Sequence, residues 1–184
     1  GGIMAFGKHH AGALEQCMKL LQENVENSLN RNSMEKSNET TIESPKNIKI
    51  KSSNDIDDMA EQIVDKYLGA NLKIPGYGHR YHKEDPRAPK LIKLARKFGF
   101  YGVHTQLALS IQKILLERKN ILLNVDGANA SILSDMGFDW EIGTGIFIIG
   151  RLPALISHVQ EEKNEEPPFR KIIEASEIYY DSVK

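Results

Sequence analysis

The chain has 184 residues, 24 basic and 25 acidic side chains, a formal net charge of −1 and 40% hydrophobic residues. The balanced charge excludes a global field for nucleic acid, and the apolar content excludes a wholly disordered chain. A lone cysteine, Cys17, cannot form an internal disulfide, which fits a reducing, cytoplasmic compartment.

The opening GGIMAFGKHH carries no secretory pattern and starts on Gly rather than Met, so the sequence is expected to begin inside a longer protein. After Ala11, the apolar residues Leu14, Cys17, Met18 and Leu21 follow a helical period and predict a helix over about 11–25, with His9 and His10 at its N-terminal edge. Residues 26–55 then lose that period. Asn, Ser, Glu and Lys dominate, and so little apolar surface cannot offset the entropy of ordering, which predicts a flexible insertion.

Order resumes at Asp57-Asp58. Ala60, Ile63, Val64, Tyr67 and Leu68 predict an amphipathic helix that Gly69 stops. The segment IPGYGHRYHKEDPRA is dense in Gly and Pro and predicts a shaped loop. Pro86 and Pro89 frame a helix ended by Gly99, and a longer helix is expected over about 103–117. ILLNVDGAN is a short apolar run ending at Asp126, and a short helix is expected from Ser131 to a stop at Gly137. Residues 145–161 predict a buried helix, apolar on most sides. The most apolar run, Ile142 to Ile156, reads as too short for a membrane span and carries Arg151 in its middle. A terminal helix is expected over 172–183. The elements describe a mainly helical chain.

Three segments set ionisable residues in Gly-rich backbone: Gly7-Lys8-His9-His10-Ala11-Gly12, Gly76-Tyr77-Gly78-His79-Arg80 and Asn124-Val125-Asp126-Gly127. Small neighbours at an element end let a substrate approach a reactive side chain. Asp126, directly after an apolar run, is open to two readings from spacing alone: a helix-capping or core acid held by backbone N–H groups, or a general base. Arg80, Arg87 and Arg151 are candidates for binding carboxylates, because a guanidinium grips them with two prongs. Arg151 inside an apolar helix calls for an acidic partner or a carboxylate ligand. Arg87 follows Asp85-Pro86, so a local ion pair competes with a ligand role. Lys83, Lys90, Lys93, Arg96 and Lys97 form a basic stretch, either a solvated face or a seat for the phosphates of a nucleotide-like ligand. The spacing of the six histidines matches no metal motif, so no metal is expected.

These motifs together resemble the citrate synthase superfamily. PGYGHRYHKEDPRA is similar to that family's segment with the second catalytic histidine, NVDG to the segment with its catalytic aspartate, and GIFIIGRLPALISHVQEE to the helix whose Arg binds a substrate carboxylate. NVDG followed by GIF-x-x-GR looks more like the citryl-CoA lyase type, as in the lyase module of ATP-citrate lyase, than like ordinary citrate synthases. The resemblance implies a mainly α, citrate-synthase-like fold, with a small helical domain over 11–135 and large-domain segments at 1–10 and 136–184. It implies that citryl-CoA is cleaved to acetyl-CoA and oxaloacetate, or formed in the reverse condensation. His10, His79 and Asp126 would be the catalytic triad. Arg87, Arg151, Arg170 and His9 would bind the oxaloacetate or citrate carboxylates, and Arg80 and Lys83 would bind coenzyme A. The first histidine stands in His9-His10-Ala11-Gly12 where the family has His-Gly-Gly, which leaves its role shared between His9 and His10. No metal or redox cofactor is implied. Coenzyme A would enter as part of the substrate, and a homodimer or higher homo-oligomer is expected. A 2-methylcitrate-type enzyme and a catalytically silent CoA-binding or assembly homologue are the alternatives.

Overall fold

The computed structural model describes residues 12–34, 53–79, 83–165 and 167. His9, His10, Arg80, Arg170 and the terminal helix expected over 172–183 lie outside the described residues. The chain divides into two units, Gly1–Ile148 and Ile149–Lys184. Among the described residues the first unit is built from helices, with an isolated antiparallel bridge between Tyr77 and Leu123.

Helix α1 spans Gly12–Met34. Its buried face is Leu14, Cys17, Met18, Leu21 and Val25, the stripe that the period predicts. The helix continues a further two turns past Val25, into the expected insertion. Leu29 packs against the core there and extends the stripe by one more step, which outweighs the polar composition around it. Helix α2, Ser53–Gly69, likewise starts inside that insertion and one turn before Asp57-Asp58. Residues 35–52 lie outside the described residues. The left-handed stop of α2 is made by Asn71 (φ 54°) rather than Gly69. Leu72 N–H donates to Tyr67 O (2.8 Å) and Asn71 N–H to Leu68 O (3.0 Å), a Schellman closure that Asn tolerates.

Helix α3, Arg87–Phe98, begins two residues before Pro89 and ends at Gly99, which is left-handed (φ 79°) as a C-terminal stop requires. Helix α4 runs over Val103–Lys119. The Asp135 carboxylate caps it from afar, accepting from the backbone N–H groups of Gly102 (2.8 Å), His104 (2.9 Å) and Thr105 (3.0 Å). That clasp joins the start of α4 to the end of α5, Val125–Asp135.

Helix α5 is the hub of the unit and packs on α1, α3 and α4. Its buried residues are all small, Gly127, Ala128, Ala130, Ser131 and Ser134, so three helices approach its backbone closely. Expected to start near Ser131, it starts six residues earlier. The Asn124 side chain accepts from Asp126 N–H and Gly127 N–H, and this cap fixes the start where the apolar run ends.

On α1, Gln22 donates to Ser134 Oγ (2.9 Å) and Phe138 O (2.8 Å) and accepts from Trp140 N–H (3.2 Å). The 3₁₀ turn Trp140–Ile142 then leads into α6, Gly143–Glu165. Helix α6 corrects two expectations. Its only buried residue is Gly143, and Ile149, Ile156 and Val159 stand exposed, so it is not a buried helix of this chain. Together with its leading turn, the helix Trp140–Glu165 contains an 18-residue window of mean hydropathy 1.5, long and apolar enough to cross a membrane by length and composition, which the shorter run Ile142–Ile156 did not suggest. Length and composition alone do not make it a span.

Candidate active site

The site is built where the glycine loop meets the start of α5. Gly76 (φ 86°) and Gly78 (φ 78°) turn the chain through the left-handed region on either side of Tyr77. The loop then pairs with residues 122–124. Gly78 N–H donates to Leu122 O (2.8 Å) and Asn124 N–H to Gly76 O (3.0 Å). Asn124 Nδ2 donates to Gly78 O (2.7 Å), so one side chain caps α5 and grips the loop at once. Below the loop, the buried phenol of Tyr77 donates to Ala108 O (2.8 Å) of α4. Burial pushes that phenol well above its ordinary pKa.

Asp126 therefore sits in the first turn of α5, half-buried, rather than at the end of an extended run. Its charge is felt by Cys17 on one side and by Arg87 on the other. His79 is exposed at the mouth of the loop, with Nε2 3.5 Å from Arg87 Nη2.

Asp85 joins these pieces. It is 2% exposed. Its Oδ1 accepts from Arg87 Nε (2.8 Å) and Arg87 N–H (3.1 Å), and its Oδ2 accepts from Arg87 Nη2 (2.9 Å) and Val125 N–H (2.9 Å). The Arg87 guanidinium, against the opposing cost of burial, holds the Asp85 carboxyl well below the usual carboxylate range. In return, Asp85 raises the pKa of Arg87. Arg87 is thus both ion-paired, as its place after Asp85-Pro86 allows, and half-exposed toward His79.

The structure brings His79, Arg87 and Asp126 into one neighbourhood. Lys83 is exposed on the loop that leads to Asp85. Arg151 lies in the second unit and is exposed. Among the described residues no group of three or more His, Cys, Asp or Glu is placed to hold a metal ion. A cavity of about 360 Å³ opens between α3, α4 and residues 122–123. Ala88, Ile92, Leu109 and Leu123 give it apolar walls, and Lys93 and Arg96 stand at its edge.

Asp85 and Asn124 join this neighbourhood although their residue types alone do not mark them. Asn124 carried a local signal, since Asn two residues ahead of an acid is a helix N-cap pattern. Asp85 carried none for its bond to Val125, which lies 40 positions away.

Residues 1–174 match the family described as citrate synthase, C-terminal domain. The chain belongs to the citrate synthase family. The fold is also that of a citryl-CoA lyase from Hydrogenobacter thermophilus, at 37% identity and a TM-score of 0.70, covering 100% of this chain and 62% of that one. Citrate synthase 2 of Bacillus subtilis is 29% identical over 107 residues, which cover 56% of this chain and 29% of that protein. An ATP citrate lyase from Methanothrix soehngenii, solved with citrate and coenzyme A, shares the fold at 21% identity and a TM-score of 0.63, over 100% of this chain and 28% of that one. The chain therefore spans less than two thirds of the citrate synthase relatives it matches.

Proposed function

We propose that the protein makes or breaks the carbon–carbon bond between the acetyl-CoA methyl carbon and the keto carbon of oxaloacetate, with citryl-CoA cleavage as its favoured direction. The observation that carries this reading is the seating of Asp126 at the start of α5, tied through Asp85 to Arg87 at the start of α3 and through Asn124 to the loop that bears His79. The whole-chain likeness to a citryl-CoA lyase supports the lyase direction.

In condensation, the Asp126 carboxylate takes a proton from the acetyl-CoA methyl. His10, with His9 beside it, donates a hydrogen bond to the enolate oxygen as charge develops. The enolate carbon attacks the oxaloacetate carbonyl, and His79 gives a proton to the forming alkoxide. In cleavage, the citryl hydroxyl proton passes to His79, the carbon–carbon bond breaks, and Asp126 returns a proton to the methyl carbon. Arg87, Arg151 and Arg170 bind the carboxylates. Arg87 spends one edge on Asp85, and its remaining N–H groups serve the substrate. Arg80 and Lys83 bind coenzyme A, which enters as part of the substrate, with no metal or redox cofactor. We read the protein as a cytoplasmic homo-oligomer.

The test is incubation with citryl-CoA, and separately with acetyl-CoA plus oxaloacetate, following free CoA and acetyl-CoA. Acetyl-CoA released from citryl-CoA supports the lyase direction, and loss of acetyl-CoA from the second mixture, to citryl-CoA or, once water cleaves its thioester, to citrate and free CoA, the synthase direction. Turnover with propionyl-CoA but not acetyl-CoA would assign 2-methylcitrate chemistry. Binding of CoA without turnover of any mixture would make the protein a silent homologue.

A further inference from the structure

We propose that Asp85 is a positioning residue, fixing the gap between the Arg87 guanidinium beside His79 and the N-terminal turn of α5 that carries Asp126. The inference rests on the functional reading above and adds a residue to it.

Asp85 is buried, yet its main partner is not. The Arg87 side chain is 51% exposed against 1% for that of Asp85. An exposed arginine needs no buried acid for solubility or stability, and exposed pairs contribute little. Capping α5 does not need a charge either. Asn124 already takes the N–H groups of Asp126 and Gly127, and any neutral acceptor would satisfy Val125 N–H. What the carboxylate alone supplies is a two-pronged, planar grip on the guanidinium from the same group that holds Val125. Its Oδ2 accepts from both Arg87 Nη2 (2.9 Å) and Val125 N–H (2.9 Å), so one atom sets the distance between them. Arg87 Nη2 is in turn 3.5 Å from His79 Nε2, and Arg87 feels the charge of Asp126. A shift of Asp85 moves the carboxylate-binding and proton-transferring halves of the site relative to each other.

Asp85→Asn keeps an acceptor for Val125 N–H but loses the charge that grips Arg87. The kcat per folded molecule is expected to fall by about 10², because a misplacement of about 1 Å is that costly, while KM for the acyl-CoA changes by less than about threefold. The folded fraction comes from urea denaturation of the same sample. An unchanged kcat per folded molecule, with only stability reduced, overturns the proposal in favour of a structural role. Should Asp85→Asn not fold, Asp85→Glu keeps the charge at one methylene greater reach, and the same loss of kcat is expected. A wild-type kcat in that variant also overturns the proposal. Should the wild type turn nothing over, the functional reading fails by itself. The positioning role is then read from nitrogen-15 spectra. There, Asp85→Asn must move the Arg87 Nε resonance together with the amides of Val125 and Asp126, and unmoved α5 amides overturn it.

Discussion

Gly127 stands so close to Gly76 that a Cβ built on it would collide with the Gly76 carbonyl oxygen. The reverse approach is as tight, since a Cβ on Gly76 would lie 2.7 Å from both Gly127 Cα and Cys17 Sγ. The glycine loop and the first turn of α5 therefore meet backbone to backbone, and that contact sets where His79 stands relative to Asp126.

Gly127→Ala must push the loop off α5, because the atom it strikes is backbone and cannot rotate away. Overpacking of this kind costs about 1–3 kcal/mol. Urea denaturation of the variant is expected to show that loss, and catalytic turnover is expected to fall with it. Wild-type stability would mean the loop and helix do not meet as described.

Asp126→Asn tests the proton transfer itself. The amide is close in size to the carboxyl but cannot take a proton from carbon. Folding and CoA affinity are expected to stay near wild type, while kcat falls by at least about 10². Exchange of acetyl-CoA methyl protons with deuterium, in the presence of an unreactive oxaloacetate analogue, isolates this step. Exchange at the wild-type rate in the variant would remove Asp126 from the mechanism.

Stability in acid is expected to fall through two carboxylates. Burial pushes Asp135 up, but hydrogen bonds from His104, Thr105 and Gly102 outweigh it and hold the group below its ordinary value. Asp85 is held lower still by Arg87. Each group is more acidic folded than unfolded, so its stabilisation is fully present above the unfolded-chain value of about 3.9 and is lost as pH drops below it. Urea midpoints measured from pH 7 to 3 should decline below about pH 4. Asp135→Asn is expected to lower the midpoint at pH 7 and to flatten that decline. An unchanged slope would show that the clasp on α4 does not form.

Cys17 is the chain's single thiol and is fully buried. Burial, and next the charge of Asp126, push it up to about 12. The thiolate is the reactive form, so a disulfide reagent at pH 8 should label the native protein slowly and the urea-unfolded protein at once. Fast labelling of native protein would place α1 away from the glycine loop.

Elements whose signals are local are legible in the sequence. The stop at Gly99 follows from neighbours within a turn or two. So does the Asp85–Arg87 pair, whose partners are two residues apart. The family was legible for the same reason, because PGYGHRYHKEDPRA and NVDG are contiguous strings. Tertiary structure decided what depends on distant partners. Helix α1 runs on through residues 26–34 because Leu29 finds the core, which composition cannot report. Residues 145–161 read as a buried helix, yet α6 lies largely exposed, since burial belongs to the packing of helices and not to the apolarity of one. Asp85 acquired its second role only when folding brought Val125 to it across 40 residues. A hydrogen bond of that separation leaves no periodic trace, because its geometry is set by the helices that close the loop between its ends.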